Sequence, residues 1–182
     1  MLPVDNTEGH GMVIPLMLLV AAATAASLTS PSLHNVRGAS PRETALLREL
    51  VARSASARAL TAQVGSEAII VYVEIRASMP RGHGATRLAA TTPYARFIRI
   101  TLAPGAHPDD LAALLAHELQ HALEIARADV KSSDDLRRLY RAIGDDRAAS
   151  VAFETVAAQE VGARVRQELS RASSKRGPAP SP

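Results

Sequence analysis

Residues 95–127 read ARFIRITLAPGAHPDDLAALLAHELQHALEIAR and predict a strand followed by a long helix. Apolar residues alternate with more polar ones over 95–102, which is typical of a strand, and the polar members of one face favour an edge position in the sheet. A Pro-Gly pair ends the strand. Pro108 then opens a helix whose two first-turn aspartates suit the positive end of the helix dipole, and we expect this helix to run to Arg127.

The sequence on either side of this unit predicts one more strand and four more helices. Capping residues, helical spacing of leucine and valine, and one β-branched run indicate these elements. The predicted helices cover 41–52, 55–64, 132–143 and 151–169, the predicted strand covers 68–75, and a loop is predicted over 77–93. This order predicts an α+β domain in which a short antiparallel or mixed sheet packs on the 108–127 helix and on a C-terminal helix.

The composition fits one folded domain and excludes several classes of protein. The chain has 182 residues, of which 47% are hydrophobic, 21% charged and 3% aromatic. Because cysteine is absent, disulfide frameworks, zinc ribbons and cysteine nucleophiles are excluded, and any metal must be bound by His, Asp or Glu. The basic residues are scattered along the chain with few aromatics between them, so we expect no nucleic-acid partner.

The segment Met12–Ala26, MVIPLMLLVAAATAA, carries no charge and has the features of an export signal. It is shorter than the roughly 20 apolar residues that a membrane-spanning helix needs. Residues 1–11 carry two acids and no Lys or Arg, so a start at Met12, an uncleaved anchor and a buried helix stay open as alternatives. We interpret residues 1–26 as a signal peptide or N-terminal anchor, 27–40 as a linker and 171–182 as a disordered tail.

This interpretation predicts a location outside the cytoplasm. The protein is expected in the periplasm, in the cell envelope or in the medium, because an export signal directs the chain there. Contact with a membrane is expected only through an uncleaved N-terminal segment. The sequence does not determine the oligomeric state.

His117-Glu118-Leu119-Gln120-His121 forms an HExxH motif inside the long helix. Histidines at i and i+4 lie one turn apart on the same helix face, so both imidazoles can reach one divalent cation, and Zn²⁺ suits this geometry. Glu118 projects beside them toward the position of a metal-activated water. A helical wheel places both histidines on the flank of the apolar face, where a shared metal satisfies their ring nitrogens. The alternative is a pair of solvated histidines.

A catalytic zinc has three protein ligands, so one more acid or histidine is needed. Glu154 falls on the apolar stripe of the predicted 151–169 helix, where a carboxylate is costly unless it is paired or bound to a metal. We therefore predict Glu154 as the third ligand, in preference to every other acid, including Glu160, Asp129 and Glu168.

Glu124 is the acid nearest to the motif in sequence, but it is not expected to bind the same ion. It stands seven residues after His117, and a rise of about 1.5 Å per residue separates the two by roughly 10 Å along the helix. Two roles remain for it. Glu124 either orients a ligand histidine or forms a salt bridge with Arg127, and the salt bridge is the favoured interpretation.

The HExxH motif followed by Glu154-Thr155-Val156-Ala157 resembles the gluzincin class of zinc metallopeptidases, in which a downstream glutamate is the third ligand. The resemblance covers residues 96–165 and implies a small zincin-like domain over 41–170. It also implies a motif helix beneath a mixed sheet whose edge strand binds extended peptide, with 97–102 in the corresponding place. Several gluzincins carry an aspartate soon after the ligand glutamate to support a histidine. Here alanines follow, so that support must come from elsewhere.

Together these features predict an exported zinc-dependent peptidase. It would hydrolyse peptide bonds of a peptide or protein substrate with a metal-activated water, for which Glu118 is the general base. Tyr140, His107 and His83 are candidates for the donor that stabilises the oxyanion. Two alternatives stay open: a non-catalytic metal-binding module of the cell envelope, and a helical interaction domain whose histidines bind nothing.

Overall fold

The computed structural model describes residues 33, 35–80, 83–105, 107–144 and 154–175. The predicted signal peptide or anchor therefore lies outside the described residues. The chain order of the elements is β1 (Val36–Gly38), α1 (Pro41–Arg53), α2 (Ala55–Ser66), β2 (Ile69–Ile75), β3 (Gly84–Thr91), β4 (Arg96–Leu102), α3 (Pro108–Arg127), α4 (Ser133–Ile143) and α5 (Val156–Lys175). The α+β class is confirmed. In this described part of the chain, no helix is long and apolar enough to cross a membrane.

The four strands form one mixed sheet in the order β1-β2-β4-β3. β1 pairs with β2 and β2 pairs with β4 in parallel, whereas β3 pairs with β4 antiparallel. The prediction that residues 95–102 form an edge strand is wrong, because β4 pairs with β2 along one edge and with β3 along the other. The error arose from residues 84–91, GATRLAAT, which were expected to be a loop. Small and polar residues suffice for a strand whose outer edge faces water.

Three other boundaries differ from the sequence analysis. Val36–Gly38 form a strand although they were interpreted as part of a linker, and the Val36 side chain is buried. The last helix begins at Val156 rather than 151, and residues 151–153 lie outside the described part. At its other end α5 continues to Lys175, so residues 171–175, expected in a disordered tail, are helical.

The hydrophobic core lies between one face of the sheet and the helices. Strand residues of one parity are buried there, since side chains alternate between the two faces of a strand. These residues are Val36, Ile69, Val71, Val73, Ile98, Ile100 and Leu102. Leucines and alanines of α3 face them from the helix layer, which places the HExxH helix directly against the sheet.

α5 packs against α3, and Gly162 lies opposite the histidine turn of α3. A Cβ at Gly162 would lie 3.4 Å from the Cβ of His117 and 3.6 Å from the carbonyl oxygen of Ala113, which is ordinary contact distance. The start of α5 is fixed by Thr155, whose side-chain oxygen accepts a hydrogen bond from the amide of Ala158 at 3.1 Å. This N-cap satisfies one of the free amides at the helix start and places the preceding residue, Glu154, beside α3.

Candidate metal centre

The side chains of His117, His121 and Glu154 converge at one point between α3 and the start of α5. The two Nε2 atoms are 3.1 Å apart, and Nε2 of His117 lies 3.2 Å from Oε2 of Glu154. All three potential ligand atoms lie within 4.8 Å of one another. Ligands about 2.0–2.1 Å from a tetrahedral zinc lie about 3.3 Å from each other. The two distances that involve His117 are close to this value. Two imidazoles and one carboxylate are donors that suit zinc, so this group could hold a metal of that kind.

The two histidines reach this point because α3 is regular through the motif. Their rings meet edge to face with centroids 4.8 Å apart. His121 is buried and the side chain of His117 is 15% exposed. Burial, followed by the proximity of His121, lowers the pKa of His117, although the carboxylate of Glu154 opposes this shift. The neutral imidazole is the form that binds a metal, so this environment favours ligation.

Glu154 reaches the histidines from the segment that precedes α5, not from within a helix. The argument that placed it on an apolar helical stripe is therefore wrong, although the structure does bring its carboxylate to His117. The side chain of Glu154 is 29% exposed. A carboxylate at this position can move toward an ion without breaking a helical turn.

Glu124 contacts His121 and not Arg127, so the favoured salt-bridge interpretation is wrong. Oε2 of Glu124 lies 2.9 Å from Nδ1 of His121, and Oε1 accepts a hydrogen bond from the hydroxyl of Thr155 at 2.8 Å. Arg127 instead pairs with Glu67. Burial alone would raise the pKa of Glu124, but these hydrogen bonds outweigh it and lower the pKa. Glu124 therefore orients the imidazole of His121 through Nδ1, the ring nitrogen that does not face His117.

The backbone of Ala158, in the first turn of α5, lies near His117 and raises the pKa of this imidazole, against the effect of burial. Nδ1 of His117 lies 3.7 Å from the position that a Cβ at Gly162 would occupy, so this nitrogen faces α5. The start of α5 therefore borders both imidazoles, since Thr155 also binds Glu124, which contacts His121.

Glu118 lies between α3 and β3 and is 4% exposed. Its Oε2 accepts a hydrogen bond from the hydroxyl of Thr86 at 2.7 Å, and its backbone oxygen accepts another from the same hydroxyl at 3.1 Å. A Cβ at Gly84 would overlap the carboxylate, so this strand position has room for no side chain. Burial raises the pKa of Glu118, and the hydrogen bond from Thr86 opposes this shift. Sequence reasoning missed Thr86 and Gly84 because both fell in the expected loop.

Two clefts border the three convergent side chains. A cleft of about 410 Å³ lies beside β3 and α4, and its lining includes Glu118, His121, Glu154, Leu136 and Tyr140. A second cleft of about 580 Å³ lies between α3 and α5. Its lining includes Leu111, Leu114, His117, Gly162 and Ala163. His117 and His121 thus line different clefts.

Of the three candidates for an oxyanion donor, Tyr140 lines the cleft that contains His121. Its ring contacts the His121 ring edge to face with centroids 5.5 Å apart. Burial and the nearby carboxylates Glu124, Glu118 and Glu154 raise the pKa of Tyr140, so its hydroxyl remains protonated at neutral pH. His107 instead caps α3, accepting a hydrogen bond from the amide of Asp109 at 3.2 Å. His83 precedes β3 and lines neither of these two clefts.

The other acids considered as ligands lie elsewhere. Glu168 accepts hydrogen bonds from the hydroxyl of Ser54 at 2.5 Å and from the amide of Ser56 at 3.1 Å, so it helps to hold the start of α2. Asp129 is paired with Lys131 on the surface, and Glu160 is exposed on α5.

Comparisons with known proteins reveal no relative. No protein-family model, no curated protein and no solved structure matches this chain. Its function is therefore inferred from the chemistry of its own side chains.

Proposed function

We propose that the protein is a zinc-dependent peptidase in which His117, His121 and Glu154 bind Zn²⁺ and Glu118 is the general base. The observation that carries the proposal is the convergence of two imidazoles and one carboxylate, in which Nε2 of His117 lies 3.1 Å from Nε2 of His121 and 3.2 Å from Oε2 of Glu154. Two imidazoles and one carboxylate are a ligand set used by catalytic zinc sites. When bound, the ion supplies Lewis-acid chemistry, since it activates a water for attack and polarises a carbonyl.

Glu118 is suited to move the proton in this reaction. Its carboxylate borders the same cleft as His121 and Glu154, and burial raises its pKa toward the range in which a general base works well at neutral pH. The hydrogen bond from Thr86 fixes one carboxylate oxygen. Glu118 can then take the proton of the attacking water and deliver it to the leaving amine.

The edge strand β3 is suited to bind the substrate. Its inner edge pairs with β4, and residues Gly84 to Leu88 line the cleft that contains Glu118. An extended peptide can add to the outer edge of such a strand through main-chain hydrogen bonds. The family resemblance implies this role for residues 97–102. Because β4 lies between two other strands, we assign the role to β3 instead. A mixed sheet with an antiparallel edge strand above the motif helix supports the zincin-like interpretation.

Export remains part of the proposal and is supported only by the sequence of residues 12–26. A second candidate function is a metal-binding module without catalysis. The observation that favours it is the position of Glu118, a residue that is only 4% exposed and whose carboxylate accepts a hydrogen bond from Thr86. In that case zinc would bind and stabilise the domain, and no peptide would be cleaved.

Metal analysis and hydrolysis of the same preparation test both functions. We expect the purified full chain to contain one zinc per molecule and to cleave casein or a peptide library until a chelator removes the metal. Glu154→Ala should lose the zinc. Glu160→Ala, which removes an exposed carboxylate from the same region, is the matched control and should retain it.

Zinc without hydrolysis would support the binding module. Absence of zinc from the wild type, after reconstitution with excess metal, would overturn both functions. Zinc that is retained in Glu154→Ala would overturn the proposed ligand set.

A further inference from the structure

The sheet face that points away from the helices carries a row of three arginines and one tyrosine, one residue from each strand. The register pairs Arg37 with Tyr72, Tyr72 with Arg99, and Arg99 with Arg87. Residues paired directly in this way project to the same face, and all four are exposed. We call these four residues the arginine row. Three arginines that are far apart in the sequence are thus brought together by the fold.

Described acidic residues neutralise little of the charge of the arginine row. Arg37 donates a hydrogen bond to the hydroxyl of Tyr72 at 3.3 Å, and its guanidinium lies 5.9 Å from the centre of that ring. Arg99 approaches Glu74 only to 3.9 Å, and Glu74 also binds another arginine. Arg87 has no ion pair within the part of the chain that the structure describes. Like charges opposite each other, such as Arg99 and Arg87, destabilise a strand pair unless an anion lies between them.

The open face is unusual for strands that pair in parallel. β1, β2 and β4 are parallel neighbours, and parallel sheets are normally covered on both faces. Beside the arginine row, Ile70 and Phe97 pair with each other on the same face and are partly exposed. Guanidinium groups, a tyrosine and partly exposed apolar side chains on one flat surface suit the boundary between water and lipid.

We propose that the arginine row docks the protein on a membrane surface that carries anionic phospholipid. Guanidinium groups bind phosphate through paired hydrogen bonds, so Arg37, Arg87 and Arg99 can each contact a headgroup. Nucleic acid fits the face less well, because Arg37 already covers the ring of Tyr72 on which a base would stack. The uncharged segment Met12–Ala26 ends about ten residues before β1, a connection of at most about 35 Å. Both features can therefore reach one surface.

Binding of the full chain to lipid vesicles tests this proposal. Vesicles of phosphatidylcholine are compared with vesicles that also contain about 30% phosphatidylglycerol, at low ionic strength. An apolar segment inserts into both kinds of vesicle, so the measured quantity is the extra binding that the anionic lipid causes. Each arginine near such a surface contributes about fivefold, so Arg87→Ala combined with Arg99→Ala should lower the extra binding about 30-fold.

The matched control combines Arg42→Ala with Arg48→Ala, which remove the same charge from the exposed side of α1. We expect these substitutions to leave the extra binding within about twofold of wild type. Thermal unfolding shows that both double variants are folded. The proposal is overturned if anionic lipid adds no binding, or if both double variants lose it equally. It is also overturned if Arg87 and Arg99 are needed for binding a single-stranded oligonucleotide but not for binding vesicles.

Discussion

The hydroxyl of Thr155 donates a hydrogen bond to Oε1 of Glu124 at 2.8 Å and thereby joins the start of α5 to the histidine helix. The same oxygen accepts the N-cap hydrogen bond from Ala158, and Glu124 in turn contacts Nδ1 of His121. One buried side chain therefore links the position of Glu154 to the orientation of an imidazole. If the three convergent side chains bind zinc, Thr155 fixes the distance between two of the ligands.

Thr155→Val should weaken zinc binding. Loss of a group that orients a ligand typically costs ten- to a hundredfold in metal affinity, so we expect a decrease of about that size. Thr155→Ser keeps the hydroxyl and should restore the affinity. Thr61 offers a control, because it is 2% exposed and donates to the carbonyl oxygen of Ala57 at 2.8 Å, away from the centre. Equal zinc affinity in Thr155→Val and Thr61→Val, measured by competition with a chelator, would contradict this role.

Glu118→Gln should slow hydrolysis strongly and stabilise the metal-free fold. Burial raises the pKa of Glu118 above its ordinary value of 4.5, so the folded state holds this proton more tightly than the unfolded state. The stability that this proton confers is full below pH 4.5 and is lost as the pH rises through the folded-state pKa. A neutral glutamine avoids this loss and can still accept the hydrogen bond from Thr86.

We therefore expect Glu118→Gln to unfold at a higher temperature than wild type at pH 7, with the difference vanishing below about pH 4.5. Activity should fall by at least about 10²-fold, while zinc stays bound. Thermal unfolding of the metal-free proteins over a range of pH checks the stability, because a bound divalent cation would itself lower the pKa of Glu118. Metal analysis and hydrolysis assays of the zinc-loaded proteins check the other two expectations. A Glu118→Gln variant that is less stable than wild type at neutral pH would contradict the inference that the buried carboxylate of Glu118 destabilises the folded protein.

Tyr140→Phe tests whether the phenol acts on the substrate. The ring contact with His121 is kept in this variant, and only the hydroxyl is lost. If the hydroxyl stabilises the oxyanion, kcat should fall about 10²- to 10³-fold while KM and zinc affinity stay close to wild type. Tyr94→Phe is the control, because Tyr94 is 90% exposed. A Tyr140→Phe variant with unchanged kcat would leave the oxyanion to another donor.

Sequence reasoning reached the features that local geometry determines. The juxtaposition of His117 and His121 follows from helical spacing alone, and the bounds of α3 follow from Pro108 and the pattern of leucines. The sequence argument for Glu154 depends on an apolar stripe of a predicted helix over 151–169. This stripe does not include Glu154 in the structure, because α5 begins at Val156. The sequence does not show whether Glu154 lies within a helix or just before the helix N-cap, because this difference depends on the fold.

The supporting residues could not be inferred in this way because they depend on contacts between distant segments. Thr86 and Gly84 meet Glu118 only once β3 has paired with β4, and GATRLAAT carries no strand pattern of its own. The partner of Glu124 was misassigned because its two possible partners, Arg127 and His121, stand at the same spacing of three residues. Tertiary packing against Thr155 decides between them.

Gly84→Ala should lower hydrolysis without lowering zinc binding, and it therefore tests the proposed role of Glu118 independently of the proposed ligands. A Cβ at this position would overlap the Glu118 carboxylate, and β3 cannot withdraw without losing its pairing with β4. The carboxylate is therefore expected to shift, so activity should fall at least about tenfold, since general-base catalysis depends on placement within hydrogen-bond reach. Zinc content should not change, because Gly84 lies beside Glu118 and not beside a ligand atom.

Gly65→Ala is the control: a Cβ there meets nothing within 4 Å, and alanine in a helix should add about 0.5–1 kcal/mol of stability. Peptidase activity in Gly84→Ala equal to that of Gly65→Ala would show that the position of Glu118 under β3 has no part in catalysis.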